Sequence, residues 1–286
     1  MALAHYRMLD CTFPEVQEYL KTKQTIIIPY ALSEQHGAHL PLDVDVRNTE
    51  FISRKLAEKL DCLIAPTLNY TFSGGMFPGT INVKPATFCN LVGEIIESLY
   101  LQGFRNFVIL PGHGGSESLM QLKESLRILK WLNPTLSDAM ILLTQIWDFS
   151  PTWFNMFDEK DYHAAKAETS LMLYWCPEVV RLDKLTMDED EVAERLRQDP
   201  DSYQLRESFT ELPQEIVQTS QRQDVKLGVM GYPEEASAEI GRRIETECIE
   251  NGGNAILQAI ADADAARKSG KRIVHDNGAH LKIRSV

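Results

Sequence analysis

Three short runs in the first half of the chain are apolar almost without a break: residues 25–30 (TIIIPY), 62–65 (CLIA) and 107–110 (FVIL). Runs of this length, rich in β-branched residues, predict strands buried on both faces, as in a parallel sheet. Between them apolar residues recur at helical spacing, which predicts helices over 48–60, over 86–102 with Gly103 as the stop, and over 116–131. A fourth strand is predicted over 140–146 and a further helix over 168–175, ended by Pro177. A long helix is predicted over about 234–268, interrupted at Gly252 and Gly253. Strands alternating with helices of this length give βαβ units. The expected fold class is therefore α/β, a three-layer α/β/α sandwich on a mainly parallel sheet, built as one domain over residues 1–286. In such sheets ligands collect beyond the carboxyl ends of the strands. The loops 33–45 and 112–117 fall there.

Composition narrows the function classes. With 44% hydrophobic and 24% charged residues, the 286-residue chain is an ordinary globular protein. Its formal charge of −12 argues against nucleic acid or an anionic membrane as partner. Residues 183–224 hold 12 acidic and 5 basic residues, more than half of that excess, and read as an acidic, helical or loop-like surface excursion. No apolar run approaches the roughly 20 residues needed to cross a bilayer, and the N-terminus lacks the pattern of a signal peptide. The five cysteines, Cys11, Cys62, Cys89, Cys176 and Cys248, are scattered and never paired as CxxC. They suggest neither a disulfide framework nor a thiolate zinc site, and the expected location is the cytoplasm.

The chemistry concentrates in three places. LSEQHGAHLPLDVD packs Glu34, His36, His39, Asp43 and Asp45 beside the first strand. Imidazole nitrogens mixed with carboxylate oxygens are the donor set of zinc, manganese or iron(II). PGHGGS presents His113 on a glycine turn after the third strand, with no lysine of the phosphate-loop type behind it. HAAKAETS places His163 five residues before Glu168 at a helix start, where a carboxylate also compensates the helix dipole. Residues 147–162 (WDFSPTWFNMFDEKDY) are aromatic without a clear period. They read either as a lid whose Trp153 and Phe154 stack on a planar substrate or as packing for a subunit interface.

Taken together, EQHGAHLPLDVD, FPGT at 77–80, GHGG at 112–115, HAxxxETSLML at 163–173 and GVMGYPEEASAEIGRR at 228–243 resemble the creatininase (creatinine amidohydrolase) family. The resemblance implies a hydrolase that opens non-peptide amides with two divalent ions, zinc or manganese and sometimes iron, assembled as a homo-oligomer, often a hexamer. It implies Glu34, Asp45 and His113 as ligands of one ion, and His36 with a bridging Asp45 as ligands of the other. Where creatininase itself has a further ligating glutamate, this chain has Gly115. Glu168 is assigned that role, with Glu117 as the alternative. His163 resembles the family's mobile acid/base histidine, His39 is expected to orient a ligating carboxylate, and Asp43 is expected to face solvent or form the loop.

The departures bear on substrate. Ala31 and Leu32 replace the usual Gly-Ser pair, Ser116 replaces an asparagine, Tyr232 an aspartate, and Glu159 the substrate-stacking tryptophan. Creatinine is thus disfavoured. A different small cyclic amide or a formamide is expected, with Trp153 and Ser116 on the substrate side. The alternatives are a non-catalytic, oligomeric metal-binding or scaffold member of the fold and a peptidase-like member of a biosynthetic pathway.

Overall fold

The computed structural model describes residues 5–272; the two ends of the expected 1–286 unit lie outside the described residues. Strands β1 (Thr25–Tyr30), β2 (Leu63–Ile64), β3 (Asn106–Pro111) and β4 (Met140–Leu143) lie parallel in the order β2-β1-β3-β4. β1 and β3 pair along their whole length, from Thr25 opposite Asn106 to Tyr30 opposite Pro111, and every residue of both is buried. The uninterrupted apolar pattern follows from that position, since a central strand has no solvent face. Ile26, Ile27 and Ile28 are at most 1% exposed, and burial of each side chain stabilises the fold by about 1.5–3 kcal/mol.

Helix placement follows from strand order. The short α1 (Phe13–Leu20), opened by a Thr12–Glu15 capping box, precedes β1. The connections β1-α2-β2 and β2-α3-β3 run in opposite directions across the sheet, through α2 (Val44–Leu60) and α3 (Pro85–Gln102). Right-handed crossovers therefore put these helices on opposite faces, and α4 (Ser116–Leu132), between β3 and β4, joins α3. Phe88 of α3 packs on Tyr30 with ring centroids 4.9 Å apart. Helices α5 (Pro151–Asp158), α6 (Lys166–Trp175), α8 (Ala238–Glu247) and α9 (Gly253–Ser269) follow β4, and α6 and α9 pack against α2. The fold is α/β, a mainly parallel sheet between helical layers. The connections leaving β1 and β3 run to opposite sides of the sheet, and this is the switch point where such sheets bind ligands.

Several expectations are corrected. Helix α2 begins at Val44 rather than residue 48, so Asp45 stands in its first turn and not in a loop. Strand β4 stops at Leu143, because Thr144 and Gln145 lead into a 3-10 turn at Ile146–Phe149. The segment read as aperiodic is that turn followed by α5. The expected C-terminal helix is divided: a 3-10 turn at Pro233–Glu235, α8, a π-helical turn at Cys248–Gly252, then α9. Residues 183–224 contain α7 (Asp190–Gln198) and an antiparallel hairpin of β5 (Gln204–Glu207) and β6 (Gln218–Gln221), whose polar sequences carry no strand signal. No helix among the described residues is long and apolar enough to cross a membrane.

Candidate metal centre

Four segments converge at the carboxyl end of the switch point. Glu34 and His36 follow β1, Asp45 opens α2, His113 follows β3, and Glu168 stands in the first turn of α6. All five are buried, between 0% and 9% exposed, which an isolated carboxylate tolerates only when its charge is compensated. His113 Nδ1 lies 3.0 Å from Glu34 Oε2 and 3.4 Å from Asp45 Oδ2. His36 Nε2 lies 3.4 Å from Asp45 Oδ1 and 3.5 Å from Glu168 Oε2. Despite these approaches, Glu34 Oε2, Asp45 Oδ2 and His36 Nε2 have no hydrogen-bond partner. Close approach without hydrogen-bond alignment is what ligand atoms turned toward a shared cation display.

Two groups here could each hold a metal ion, Glu34 with Asp45 and His113, and His36 with Asp45 and Glu168; Asp45 is common to both. A third, Glu34 with His36 and His163, overlaps them. Glu117 is in none of the three. His36 Nδ1 lies 3.1 Å from the Glu34 carbonyl and donates to it, so Nε2 is the nitrogen that faces the carboxylates and that would meet a cation on giving up its proton. Gly115 is required by close approach, since a Cβ there would come within 2.3 Å of His113 Nε2. A glutamate at 115 has no room in this geometry.

The electrostatics describe a site in which imidazoles supply the positive charge. Burial pushes Glu34 up, but the charge of the nearby His113 outweighs it and holds the carboxyl below its ordinary value. Asp45 is also held low: burial opposes, and His36 and His113 prevail. Burial likewise opposes protonation of His113, yet Glu34 and Asp45 raise it to about 10, while Glu168 and Asp45 raise His36 well above the usual imidazole range. His163 is lowered, by burial and then by the charge of His36.

His163 is held through one ring nitrogen, which either donates to the Gln35 carbonyl or accepts from the Gln35 side-chain amide. Its Nε2 lies 2.9 Å from the Gln35 carbonyl oxygen and 3.1 Å from Gln35 Nε2, while Gln35 Oε1 accepts from the Gly37 N–H. Its ring centroid is 4.4 Å from that of His36. The next residue, Ala164, holds a left-handed φ of 52°, uncommon for a residue with a side chain, and donates its N–H to Glu168 Oε2 at 2.6 Å. Glu168 is thereby oriented by the loop that carries His163.

His39 corrects an expectation. It is buried, but its Nε2 pairs with the Thr169 hydroxyl at 3.0 Å rather than with a ligating carboxylate, so it acts on the turn beside Glu168. Burial, reinforced by the charge of His36, lowers it to about 4. Asp43 is half-exposed and pairs with Arg47 at 2.8 Å.

A cavity of about 330 Å³ opens from the cluster and is lined by Glu34, Asp45, His113, His163 and Glu168 together with Ser116, Glu117 and Trp153. Trp153 is 5% exposed and packs on Trp147, with ring centroids 5.7 Å apart. Phe154, expected beside it, is 52% exposed and outside the lining. Helix α5 turns it to solvent and brings Phe157 to the wall instead. The acidic excursion is more than surface, because its residues Pro200, Asp201 and Tyr203 close one side of the cavity.

Three positioning residues are absent from the sequence reading. Gln35 holds His163. Asp161 accepts from the N–H groups of Lys166, Ala167 and Tyr232, pinning the start of α6. Asp188 accepts from those of Lys226, Leu227 and Gly228, fixing the extended segment that lines the cavity at Gly228 and Met230. Asp188 binds backbone 38 to 40 residues away, and Asp161 joins the nearby Lys166 and Ala167 to Tyr232, 71 residues on, so spacing along the chain does not single either of them out.

The sequence model of the creatininase family, described as creatinine amidohydrolase, matches residues 9–256. A creatinine amidohydrolase of Pseudomonas putida is 30% identical over 181 residues, 56% of this chain and 67% of that protein. A mycofactocin precursor peptide peptidase of Mycobacterium ulcerans is 30% identical over 246 residues, 80% of this chain and 83% of that protein. A crystal structure of creatinine amidohydrolase (creatininase) superposes with a TM-score of 0.70 at 22% identity, covering 90% of this chain and 98% of that one, which is a likeness of fold. With fold, buried acid–imidazole cluster and a match along most of its length in agreement, the chain belongs to the creatininase family of hydrolases.

Proposed function

We propose that the chain is a two-metal amidohydrolase acting on a small cyclic amide or formamide. In this reading Glu34, Asp45 and His113 hold one divalent ion, and His36, Asp45 and Glu168 the other. The observation that carries it is the burial of three carboxylates and two imidazoles from four segments with ligand atoms left out of hydrogen bonds. The mixed nitrogen and oxygen donors suit zinc or manganese, with iron possible. Bound there, two divalent ions would lower the pKa of water and polarise a carbonyl oxygen. Trp153 and Ser116, on the cavity wall, would hold the amide against the cluster. His163, positioned by Gln35, would pass a proton to the leaving amine. The active form is a homo-oligomer, for which the family resemblance implies a hexamer.

A second reading is favoured by one observation: the relative that matches 80% of the chain is named a peptide peptidase. Elemental analysis of the purified protein and a panel of lactams, formamides and short peptides, assayed with and without chelator, tests both. Two ions per chain with chelator-sensitive turnover of a small amide is the expected result. Turnover of peptides alone would transfer the assignment to the peptidase reading, and a protein without metal or activity would leave a scaffold. His163→Gln should lose about 10²–10⁴-fold in kcat with both ions retained; undiminished turnover removes His163 from the mechanism.

A further inference from the structure

The hairpin of β5 and β6 stands apart from the main sheet. Its strands pair only with each other among the described residues, and an isolated two-stranded hairpin is at best marginally stable in water. Its tip nonetheless has a built shape: Glu215 accepts from the N–H groups of Phe209 and Thr210, each at 2.7 Å, and from the Thr210 hydroxyl. That turn displays Phe209 at 102%, Ile216 at 94% and Leu212 at 66% exposure. Large apolar side chains presented together on a fixed turn mark a contact surface. Two carboxylates, Glu207 and Glu211, flank them, exposed and without a charged partner among the described residues.

A complementary groove lies at the β4 edge of the main sheet. Strand β4 pairs with β3 alone among the described residues, and its apolar residues Ile141, Leu142 and Leu143 are half-buried. With Met120 of α4 they floor a groove lined by Lys123, Arg127 and Lys130; Arg127 is paired with Glu124 at 2.6 Å and Lys130 Nζ donates to the Ala139 carbonyl, which leaves Lys123 as the lining cation without a partner among the described residues. An open apolar strand edge needs cover to stay out of aggregation. Apolar floor meets apolar tip, and the unpaired Lys123 meets an unpaired carboxylate.

We propose that the hairpin tip of one copy of this chain docks in the β4–α4 groove of a second copy. Phe209 and Ile216 insert against Ile141 and Leu143, with Glu211 toward Lys123. The contact is reciprocal or closes a ring, according to the symmetry of the assembly. It also reaches the cavity. At the hairpin's base the Tyr203 hydroxyl donates to the Ser73 carbonyl at 3.2 Å, and Gln221 Oε1 accepts from the Met76 N–H at 2.6 Å. Tyr203 and Ser73 both line the cavity, so docking the tip steadies the cavity wall. The proposal stands independently of the reaction assigned above.

Sedimentation velocity across protein concentration, on the parent, Phe209→Asp and Lys123→Glu, tests it. Expected is an oligomeric parent whose association weakens at least about thirtyfold in Phe209→Asp, the effect of losing one central contact, and by a smaller, salt-dependent factor in Lys123→Glu at the rim. The double variant Lys123→Glu with Glu211→Lys should regain part of the loss. A mixture of Leu212→Cys and Met120→Cys chains should yield a dimer with a short bis-maleimide that neither chain forms alone. A monomeric parent, or variants that assemble like the parent, overturns the proposal. Dissociation by Phe209→Asp but not by Lys123→Glu, with no cross-link, shows that the tip docks elsewhere and overturns the groove. Because the tip lies outside the core, circular dichroism of all variants should match the parent; a variant that unfolds hands the decision to the cross-link.

Discussion

Gly112→Ala isolates the approach between the two central segments that carry candidate metal ligands. Gly112 follows β3 directly, and a Cβ there would lie 2.0 Å from the Asp45 carbonyl oxygen and 2.9 Å from its carbon. Real Cβ contacts essentially never fall below 3.0 Å, so the loop and the first turn of α2 must part by about 1 Å. Neither side yields cheaply, because both are backbone: one leaves a central strand, the other begins a helix packed on the sheet. The displaced residues are the worst ones for the site, since Asp45 is the residue struck and His113 is the next in chain. Ligand constellations work within about 0.5 Å of their geometry, and a misplacement of 1 Å costs on the order of 10²-fold in rate. Overpacking adds about 1–3 kcal/mol of instability. The assay is metal content after dialysis in defined zinc or manganese, kcat/KM on whichever amide the panel yields, and calorimetry. Gly114→Ala is the control, because its nearest heavy atoms are ring carbons of Trp147 at 3.5 and 3.6 Å, ordinary contact distances. Full metal occupancy with parental kcat/KM in Gly112→Ala would refute the reasoning.

Two further predictions separate neighbouring roles. Glu168→Ala should lower metal occupancy toward one ion per chain while Glu117→Ala, outside the three clusters, retains both; the opposite outcome makes Glu117 the ligand. Glu247 ties α8 to the start of α5, accepting from the Ser150 and Thr152 hydroxyls at 2.8 Å and the Thr152 N–H at 2.9 Å. Burial raises its carboxyl, but these bonds and Arg243 hold it below the ordinary value. The folded pKa being the lower one, the stabilisation is fully present above the unfolded carboxylate value of about 4.3 and is lost as pH falls through the folded value. Glu247→Gln should therefore lower stability by about 1–3 kcal/mol at pH 7, with the gap from the parent closing in acid; a gap that persists unchanged at the acid limit contradicts it.

The strands that hold the site are legible because central parallel strands leave no room for polar residues, and TIIIPY and FVIL say so directly. The start of α2 is not. Asp43 and Asp45 read as loop chemistry, yet Asp45 is also a fitting residue for a first helical turn, and only the packing of α2 on the sheet decides between these roles. The hairpin is invisible for the opposite reason: QLRE has one apolar residue, Leu205, and QTSQ none, so there is no alternation to read. The ligand set can be listed from motif resemblance, but its convergence cannot. It depends on strand order, which brings the loops after β1 and β3 side by side although α2, β2 and α3 intervene between Glu34 and His113 in the chain. Of the two readings of residues 147–162, the lid sets Phe154 on substrate, but helix α5 turns adjacent aromatic residues in different directions and leaves Phe154 exposed, outside the cavity lining.

The backbone on either side of the His163 ring is fastened. Tyr162 and His163 meet Met230 in a small antiparallel bridge, with the Tyr162 N–H on the Met230 carbonyl at 2.7 Å and the Met230 N–H on the His163 carbonyl at 2.8 Å. Any excursion of this imidazole is therefore a rotation about its own side-chain bonds and not a swing of the loop. That sets its clock. Picosecond-to-nanosecond reorientation belongs to exposed side chains; the half-buried His163 ring is bonded to the Gln35 carbonyl at 2.9 Å, so proton delivery by it would wait on release of that bond rather than on a loop motion.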